Sequence, residues 1–154
     1  VDINIKIQSE LFKAMIDHGV YMPGATLKPN IINAGKNCPV GYTVEEIAQA
    51  NIYVLEQSFP VAMLGANFLS GGQTLEQGTA RLSAMNKIKG KAPWNLSFSW
   101  SQAIQLPLLD LCRGKDGLQL EEMSKLYVEE LKLASAAALG EHEWNAGDGD
   151  HIAK

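Results

Sequence analysis

The feature of this sequence that most constrains its fold is a repeated alternation between amphipathic helical segments and short apolar runs. In the helical segments apolar residues recur every three or four positions, the spacing that places them on one face of an α-helix. Thr43 with Glu46 and Thr74 with Gln77 are typical of capping boxes, so we expect two of the helices to begin there. The helical segments cover about 5–18, 44–58, 75–88, 101–112 and 119–139.

Three apolar runs of strand length lie between the helices, at 25–28, 61–68 and 94–98, and each is bounded by proline or glycine. Strands and helices that alternate at intervals of about 30–40 residues are typical of βαβ units, in which a helix joins two parallel strands. We therefore predict an α/β domain built on a parallel sheet.

The composition is that of a globular domain, and it excludes several classes of function. Of the 154 residues, 46% are hydrophobic and 19% are charged, which is enough apolar material for one core. No apolar run reaches the ~20 residues of a transmembrane helix, so we expect no membrane insertion. The net charge of −4 and the scattered basic residues argue against a nucleic-acid-binding surface, although they leave room for a local phosphate site.

The cysteines and histidines have the spacing neither of a metal site nor of a disulfide framework. Cys38 and Cys112 lie far apart in the chain, and we expect both to be reduced thiols. His18, His142 and His151 show no ligand spacing either, so no metal is predicted.

Lys28 is the first candidate for chemistry. It ends the apolar run 25–28 directly before Pro29, and proline favours an extended conformation in the residue that precedes it. We therefore expect Lys28 to continue the strand and to point inward or across the rim of the sheet. Burial favours the neutral amine of a lysine, and a neutral amine can attack a carbonyl carbon to form a Schiff base. The alternative is a lysine that extends into solvent from a strand end.

Two further strand ends also carry polar groups. After the second strand, Gly71 and Gly72 lead into a capped helix, and the unpaired N–H groups at such a helix start can bind an anion. Two glycines before a helix can also simply form a tight turn. After the third strand, Ser99 and Ser101 could donate hydrogen bonds to a ligand, or they could cap the following helix.

A set of short motifs, spread over most of the chain, carries a resemblance to a known family. The motifs are Asp17-His18-Gly19-Val20-Tyr21, Leu27-Lys28-Pro29-Asn30, Cys38-Pro39, Tyr42-Thr43, Phe68-Leu69-Ser70-Gly71-Gly72-Gln73, Asn86-Lys87, Pro93-Trp94 and Leu96-Ser97-Phe98-Ser99. In order, spacing and local chemistry they resemble those of the class I, Schiff-base fructose-1,6-bisphosphate aldolases. The resemblance implies the C-terminal portion of a (β/α)8 TIM barrel, with about three βα units and the terminal helix.

The resemblance also implies a role for each candidate residue. Lys28 would form an imine with the ketose or with dihydroxyacetone phosphate, without a metal or other cofactor. The implied reaction is the reversible cleavage of fructose 1,6-bisphosphate to dihydroxyacetone phosphate and glyceraldehyde 3-phosphate, a step of glycolysis and gluconeogenesis. The substrate phosphate would be bound by Leu69, Ser70, Gly71, Gly72, Ser99, Ser101 and Gln102.

The chain departs from the pattern of the family at two places. Trp100-Ser101-Gln102 stands where members usually have Tyr-Gly-Arg. A neutral amide binds phosphate more weakly than a guanidinium, by about tenfold. We also expect the C-terminal tyrosine of the family to be missing, since the sequence reads Ile152-Ala153-Lys154 at its end.

The length allows more than one reading of the resemblance. A (β/α)8 barrel takes about 250 residues, so 154 residues cannot close one. We expect either a part of a longer aldolase or a truncated aldolase-like protein that serves as an inactive structural subunit of a larger assembly. A third reading is a Schiff-base aldolase for another phosphorylated ketose. In each case we expect this chain by itself to be inactive.

The same reading predicts the domain organisation and the partners. Residues 1–140 would form the C-terminal part of the barrel, and 141–154 a mobile polar tail. The expected ligand is a phosphorylated sugar. Further copies of the chain, in a tetramer by resemblance, or other partner chains would hold it, and no nucleic acid is expected. We expect a cytoplasmic protein, with an organellar location also open.

Overall fold

The secondary structure follows the predicted alternation of strands and helices. The structure is a computed structural model, and it describes residues 1–35 and 37–149. Short 3-10 helices lie at Met22–Gly24 and Ala146–Asp148. The main elements in chain order are α1 (Asp2–Asp17), β1 (Thr26–Leu27), α2 (Val44–Ser58), β2 (Gly65–Phe68), α3 (Leu75–Ile88), β3 (Asn95–Phe98), α4 (Gln102–Asp110) and α5 (Leu120–Leu139).

The three strands form a parallel sheet in the order β1-β2-β3. Gly65 pairs with Thr26 on one side and with Asn95 on the other, and Phe68 pairs with Phe98. Helix α2 joins β1 to β2 and α3 joins β2 to β3, because parallel neighbours need a crossover connection. The predicted α/β architecture is confirmed, and the carboxyl ends of all three strands lie at one edge of the sheet.

The second strand is shorter than the apolar run from which it was predicted. Residues 61–63 precede the ladder, since the Met63 N–H donates to the Pro60 carbonyl in a turn (3.0 Å). The Leu64 carbonyl accepts from the Asn95 N–H at 3.0 Å, and the strand itself begins at Gly65. Apolar character alone cannot separate a buried turn from a strand. The prediction of strand over 61–68 was therefore wrong in its first half.

Both predicted capping boxes are present. The Thr43 side chain accepts from the Glu46 N–H while the Glu46 carboxylate accepts from the Thr43 N–H, and Thr74 and Gln77 make the same reciprocal pair. These caps set the first turns of α2 and α3. The loops that lead from β1 to α2 and from β2 to α3 therefore end at Thr43 and Thr74.

The hydrophobic core joins the sheet to α2 and α3 and extends through three aromatic rings. Phe59 packs edge-on against Phe12 at 5.1 Å and against Trp94 at 5.4 Å between ring centroids. The Trp94 indole Nε1 donates to the Pro60 carbonyl at 2.9 Å, so its one polar atom is satisfied. This cluster attaches α1 to the end of α2 and to the start of β3.

Residues 141–149 lie against the domain. The Ser83 hydroxyl of α3, for example, donates to the His142 carbonyl at 2.6 Å. The boundary predicted at 140 and the predicted mobility of the tail stay predictions. Residues 150–154, including the third histidine and the chain end, lie outside the described residues.

Three further observations concern absences within the described part of the chain. No helix there has both the length and the apolar character that crossing a bilayer requires. Within residues 1–35 and 37–149 there is also no group of three or more His, Cys, Asp or Glu side chains placed to hold a metal ion. Cys38 and Cys112 are both free thiols.

Gly65 should be the glycine at which the sheet tolerates a side chain least. A Cβ at Gly65 would collide with the carbonyl oxygen of Asn95 on the neighbouring strand, and backbone cannot move aside without breaking the ladder. We expect Gly65→Ala to lower the free energy of unfolding by about 1–3 kcal/mol, measured by urea denaturation with tryptophan fluorescence. Gly35→Ala is the matched control, because nothing lies within 4 Å of a Cβ at Gly35. Equal stability of the two variants would contradict the pairing of β2 with β3.

Candidate active site

Each strand ends at one of the predicted functional segments. Lys28 follows β1, Leu69 follows β2 and Ser99 follows β3. Hydrogen bonds continue the ladder past the strand ends, since the Leu69 N–H donates to the Pro29 carbonyl and the Ser99 N–H to the Phe68 carbonyl, both at 2.9 Å. The three segments are therefore direct neighbours at one edge of the sheet.

The turn after β2 has a backbone conformation that glycine favours. Gly71 and Gly72 have φ angles of +57° and +82°, in the left-handed region where side chains are strained. Ser70 is buried, and its carbonyl accepts the N–H of Gln73 at 3.0 Å and the Gln73 side-chain amide at 2.8 Å. Both glycines are exposed and directly precede the capped start of α3, where backbone N–H groups and the helix dipole favour an anion.

A buried arginine supports this turn through Gln73. Arg81 is 0% exposed, and its Nη1 donates to the Gln73 Oε1 while its Nη2 donates to the Gly149 carbonyl at 3.0 Å. Burial lowers the pKa of Arg81 to about 10, and the negative charge of Asp148 opposes this shift. The guanidinium is therefore charged at neutral pH. Its charge-assisted hydrogen bond orients Gln73, which in turn holds the Ser70 carbonyl.

A buried asparagine fixes the loop that follows β1. Asn51 of α2 is 1% exposed, and its Oδ1 accepts from the Ile32 N–H at 2.8 Å. Its Nδ2 donates to the carbonyls of Ile32 (3.0 Å) and Ile47 (2.8 Å). Sequence analysis missed both Asn51 and Arg81. The signal that could have found them is a polar residue within the apolar face of a predicted helix.

Lys28 is exposed, so the expectation of a buried amine is wrong for this chain as the structure describes it. The reason is the position of β1 at the end of the sheet. Among the described residues, β1 pairs with β2 on one side and with no strand on the other. The alternative of a lysine that extends into solvent from a strand end therefore describes Lys28 here.

In the segment that follows β3, Ser101 and Gln102 have different surroundings. Ser101 occupies the N-cap position of α4 but does not cap it, because its hydroxyl donates to the Gln105 Oε1 at 3.1 Å. Gln102 lines a cavity of about 560 Å³ whose wall also includes Gly72. Gln102 and Gly72 therefore line the same cavity, and the shared phosphate-binding role assigned to them stays a prediction. The capping alternative for Ser101 is wrong.

Comparison with solved structures defines the class of protein. The fructose-bisphosphate aldolase of Plasmodium falciparum matches this chain with a TM-score of 0.86 and 31% sequence identity, over 93% of this chain and 41% of that chain. The parallel sheet and its crossover helices are thus part of an α/β barrel of the aldolase type. The predicted fold class is confirmed.

Comparison of sequences defines the family. The family model for glycolytic class-I fructose-bisphosphate aldolase matches residues 1–153. The chain is 37% identical over 152 residues to fructose-bisphosphate aldolase C of Homo sapiens, and 41% identical over 140 residues to the fructose-bisphosphate aldolase of Schistosoma mansoni. These alignments cover 97% and 89% of this chain. The chain belongs to the class-I fructose-bisphosphate aldolase family, whose members are lyases.

The alignments cover nearly all of this chain but less than half of each relative. The alignments take in 41% of the human protein and 38% of the Schistosoma protein, so the chain spans about two fifths of the length of the curated relatives it matches. The resemblance inferred from the motifs is confirmed. The roles assigned to Lys28, to the residues 69–72 and to the residues 99–102 stay predictions.

Removing the Gln73 side chain should release the turn and leave a buried charged donor without its amide partner. Hydrogen bonds to charged groups contribute about 1.5–3 kcal/mol, and we expect Gln73→Ala to lower the free energy of unfolding by that amount. Gln49→Ala, an exposed glutamine on α2, should change it by less than about 0.5 kcal/mol. The measurement is chemical denaturation of both variants. Equal effects would show that the Arg81–Gln73 contact does not support the turn.

Proposed function

We propose that this chain supplies the imine-forming lysine and the phosphate-binding edge of a class I fructose-bisphosphate aldolase. The reaction is the reversible cleavage of fructose 1,6-bisphosphate to dihydroxyacetone phosphate and glyceraldehyde 3-phosphate. The observation that carries the proposal is the register of the sheet, which sets Lys28, the turn at Gly71 and Gly72, and Ser99 side by side at one edge.

In this proposal the Lys28 amine does the covalent work. Its nitrogen attacks the ketone carbon, water leaves, and a protonated imine forms. When the bond between the third and fourth carbons breaks, the hydroxyl on the fourth carbon gives its proton to water or another base and becomes the aldehyde of the departing product. The electron pair of the broken bond moves into the imine, which becomes an enamine. Protonation of the enamine carbon and hydrolysis then release dihydroxyacetone phosphate and restore the amine. The positively charged imine is the electron sink, so the step is written without a metal.

The turn after β2 binds the phosphate in this proposal. The exposed backbone of Gly71 and Gly72 lets an anion approach closely, and the start of α3 adds N–H groups and the positive end of a helix dipole. Gln102, which lines the same cavity as Gly72, contributes a neutral amide rather than a charge. Phosphate is therefore held mainly by backbone dipoles.

The exposure of Lys28 sets a condition on activity. Lys28 is exposed at the open edge of β1, and we propose that further protein, in a longer chain or a partner chain, covers this edge in the active enzyme. The chain by itself is then inactive. We also propose a homo-oligomeric, cytoplasmic enzyme, in line with the resemblance.

Borohydride trapping tests the role of Lys28. Borohydride reduces an imine to a stable amine, so incubation with dihydroxyacetone phosphate and borohydride should attach one adduct per chain, located at Lys28 by peptide mass spectrometry. The experiment uses the longest natural form that contains this chain, and the chain by itself should give little or no adduct. The adduct should persist in the presence of EDTA.

Two lysine variants serve as controls for this experiment. Lys28→Arg should abolish the adduct, whereas Lys115→Arg, at an exposed position, should leave it unchanged. A longest natural form that is labelled at other lysines or not at all would refute the assignment. That outcome would favour the alternative of an inactive structural subunit, for which the exposure of Lys28 is the supporting observation.

Restoring a guanidinium at position 102 should strengthen phosphate binding. Gln102→Arg replaces a neutral donor with a charged, forked one, and we expect the affinity for dihydroxyacetone phosphate to rise about tenfold. Gln57→Arg is the control, because it adds the same charge at an exposed position on α2, away from this cavity. Isothermal titration of both variants is the measurement. An equal gain in both would reflect net charge alone and would contradict a phosphate site at Gln102.

A further inference from the structure

A cavity of about 560 Å³ lies between the start of α3, α4 and α5. Its volume falls in the range of about 300–1,000 Å³ that is typical of small-molecule sites. The phosphate-binding proposal uses only its rim, at Gly72 and Gln102. The walls are mostly apolar and consist of Leu75, Ala103, Leu106, Pro107, Leu126 and Leu133.

The charged side chains that line this cavity are all acidic. Three carboxylates line it, Glu76 from α3 and Glu129 and Glu130 from α5, and its lining residues include no lysine or arginine. A cluster of exposed acidic residues is usually only a solvated surface. Glu130 differs, because it is 4% exposed.

The Glu130 carboxylate lacks the partners that such burial requires. Its Oε2 has no hydrogen-bond donor within the described residues. Burial without a donor or an opposite charge disfavours the ionised form of a carboxylate. Burial raises the pKa of Glu130, and the negative charge of Glu76 raises it further. A cation in the cavity would offset both effects, because it would attract the Glu130 carboxylate and oppose the repulsion from Glu76.

We propose that the cavity between α3, α4 and α5 binds a small organic ammonium ion with a short alkyl or aryl body. The ammonium group would donate to Glu130, and the body would contact Leu106, Leu126 and Leu133 on the walls. A divalent metal fits less well, since Ca²⁺ takes 6–8 oxygen ligands, and these walls are mainly hydrocarbon. This proposal does not depend on the aldolase reaction.

Titration with matched probes tests the proposal on the chain as it exists. Hexylammonium chloride should bind with saturation, as measured by isothermal titration calorimetry at neutral pH and constant ionic strength. Hexan-1-ol has the same apolar body without the charge, and it should bind at least tenfold more weakly. Methyl NMR signals of Leu106, Leu126 and Leu133 should shift during the hexylammonium titration.

Two glutamate variants assign the binding to the buried carboxylate. Glu130→Gln keeps the shape of the side chain and should weaken hexylammonium binding at least tenfold. Glu122→Gln removes the same charge from an exposed position on α5 that is not on the cavity wall, and it should have no effect.

Three outcomes would overturn the proposal. The first is that hexylammonium shows no saturable binding. The second is that the wild type binds hexylammonium and hexan-1-ol with equal affinity. The third is that both glutamate variants lose the same affinity for hexylammonium. The comparison of amine with alcohol uses the unaltered chain, so it decides the question even if Glu130→Gln fails to fold.

Discussion

The parallel pairing of three short strands determines where every candidate group of this protein lies. In a parallel sheet all carboxyl ends meet at one edge, and here the ladder continues past the strands through Leu69 and Ser99. A shift of register by one residue would turn alternate side chains to the other face and would separate Lys28 from the glycine turn. The chemistry proposed for this chain therefore depends first on backbone hydrogen bonds.

Buried polar side chains hold the loops that follow the aligned strands by hydrogen bonds to their backbone. Asn51 satisfies both backbone groups of Ile32 in the loop after β1, while Arg81 and Gln73 hold the Ser70 carbonyl in the turn after β2. In each case a side chain from a helix, Asn51 of α2 or Arg81 of α3, supports a segment that follows the carboxyl end of a strand. Such contacts are costly to break, because each would leave a buried group unpaired.

Much of this architecture could be predicted from local sequence. The helices and their capping boxes depend on residues within a few positions of one another, so Thr43 and Thr74 identify two helix starts without any tertiary information. The exposure of Lys28 could not be predicted in this way, since burial depends on what lies beyond the unpaired edge of β1. The contact of Arg81 with Gly149 arises only when the C-terminal segment packs on α3, and the burial of Glu130 arises only when α5 packs on its neighbours.

The central claim is that one edge of the sheet holds both an imine-forming amine and the phosphate of its substrate. A titration of isotopically labelled protein with dihydroxyacetone phosphate, followed by ¹H–¹⁵N NMR, tests it most directly. The account predicts that the amide signals of Gly71, Gly72 and Ser99 shift together along a single saturation curve. Shifts confined to other parts of the chain, or none at saturating ligand, would contradict it.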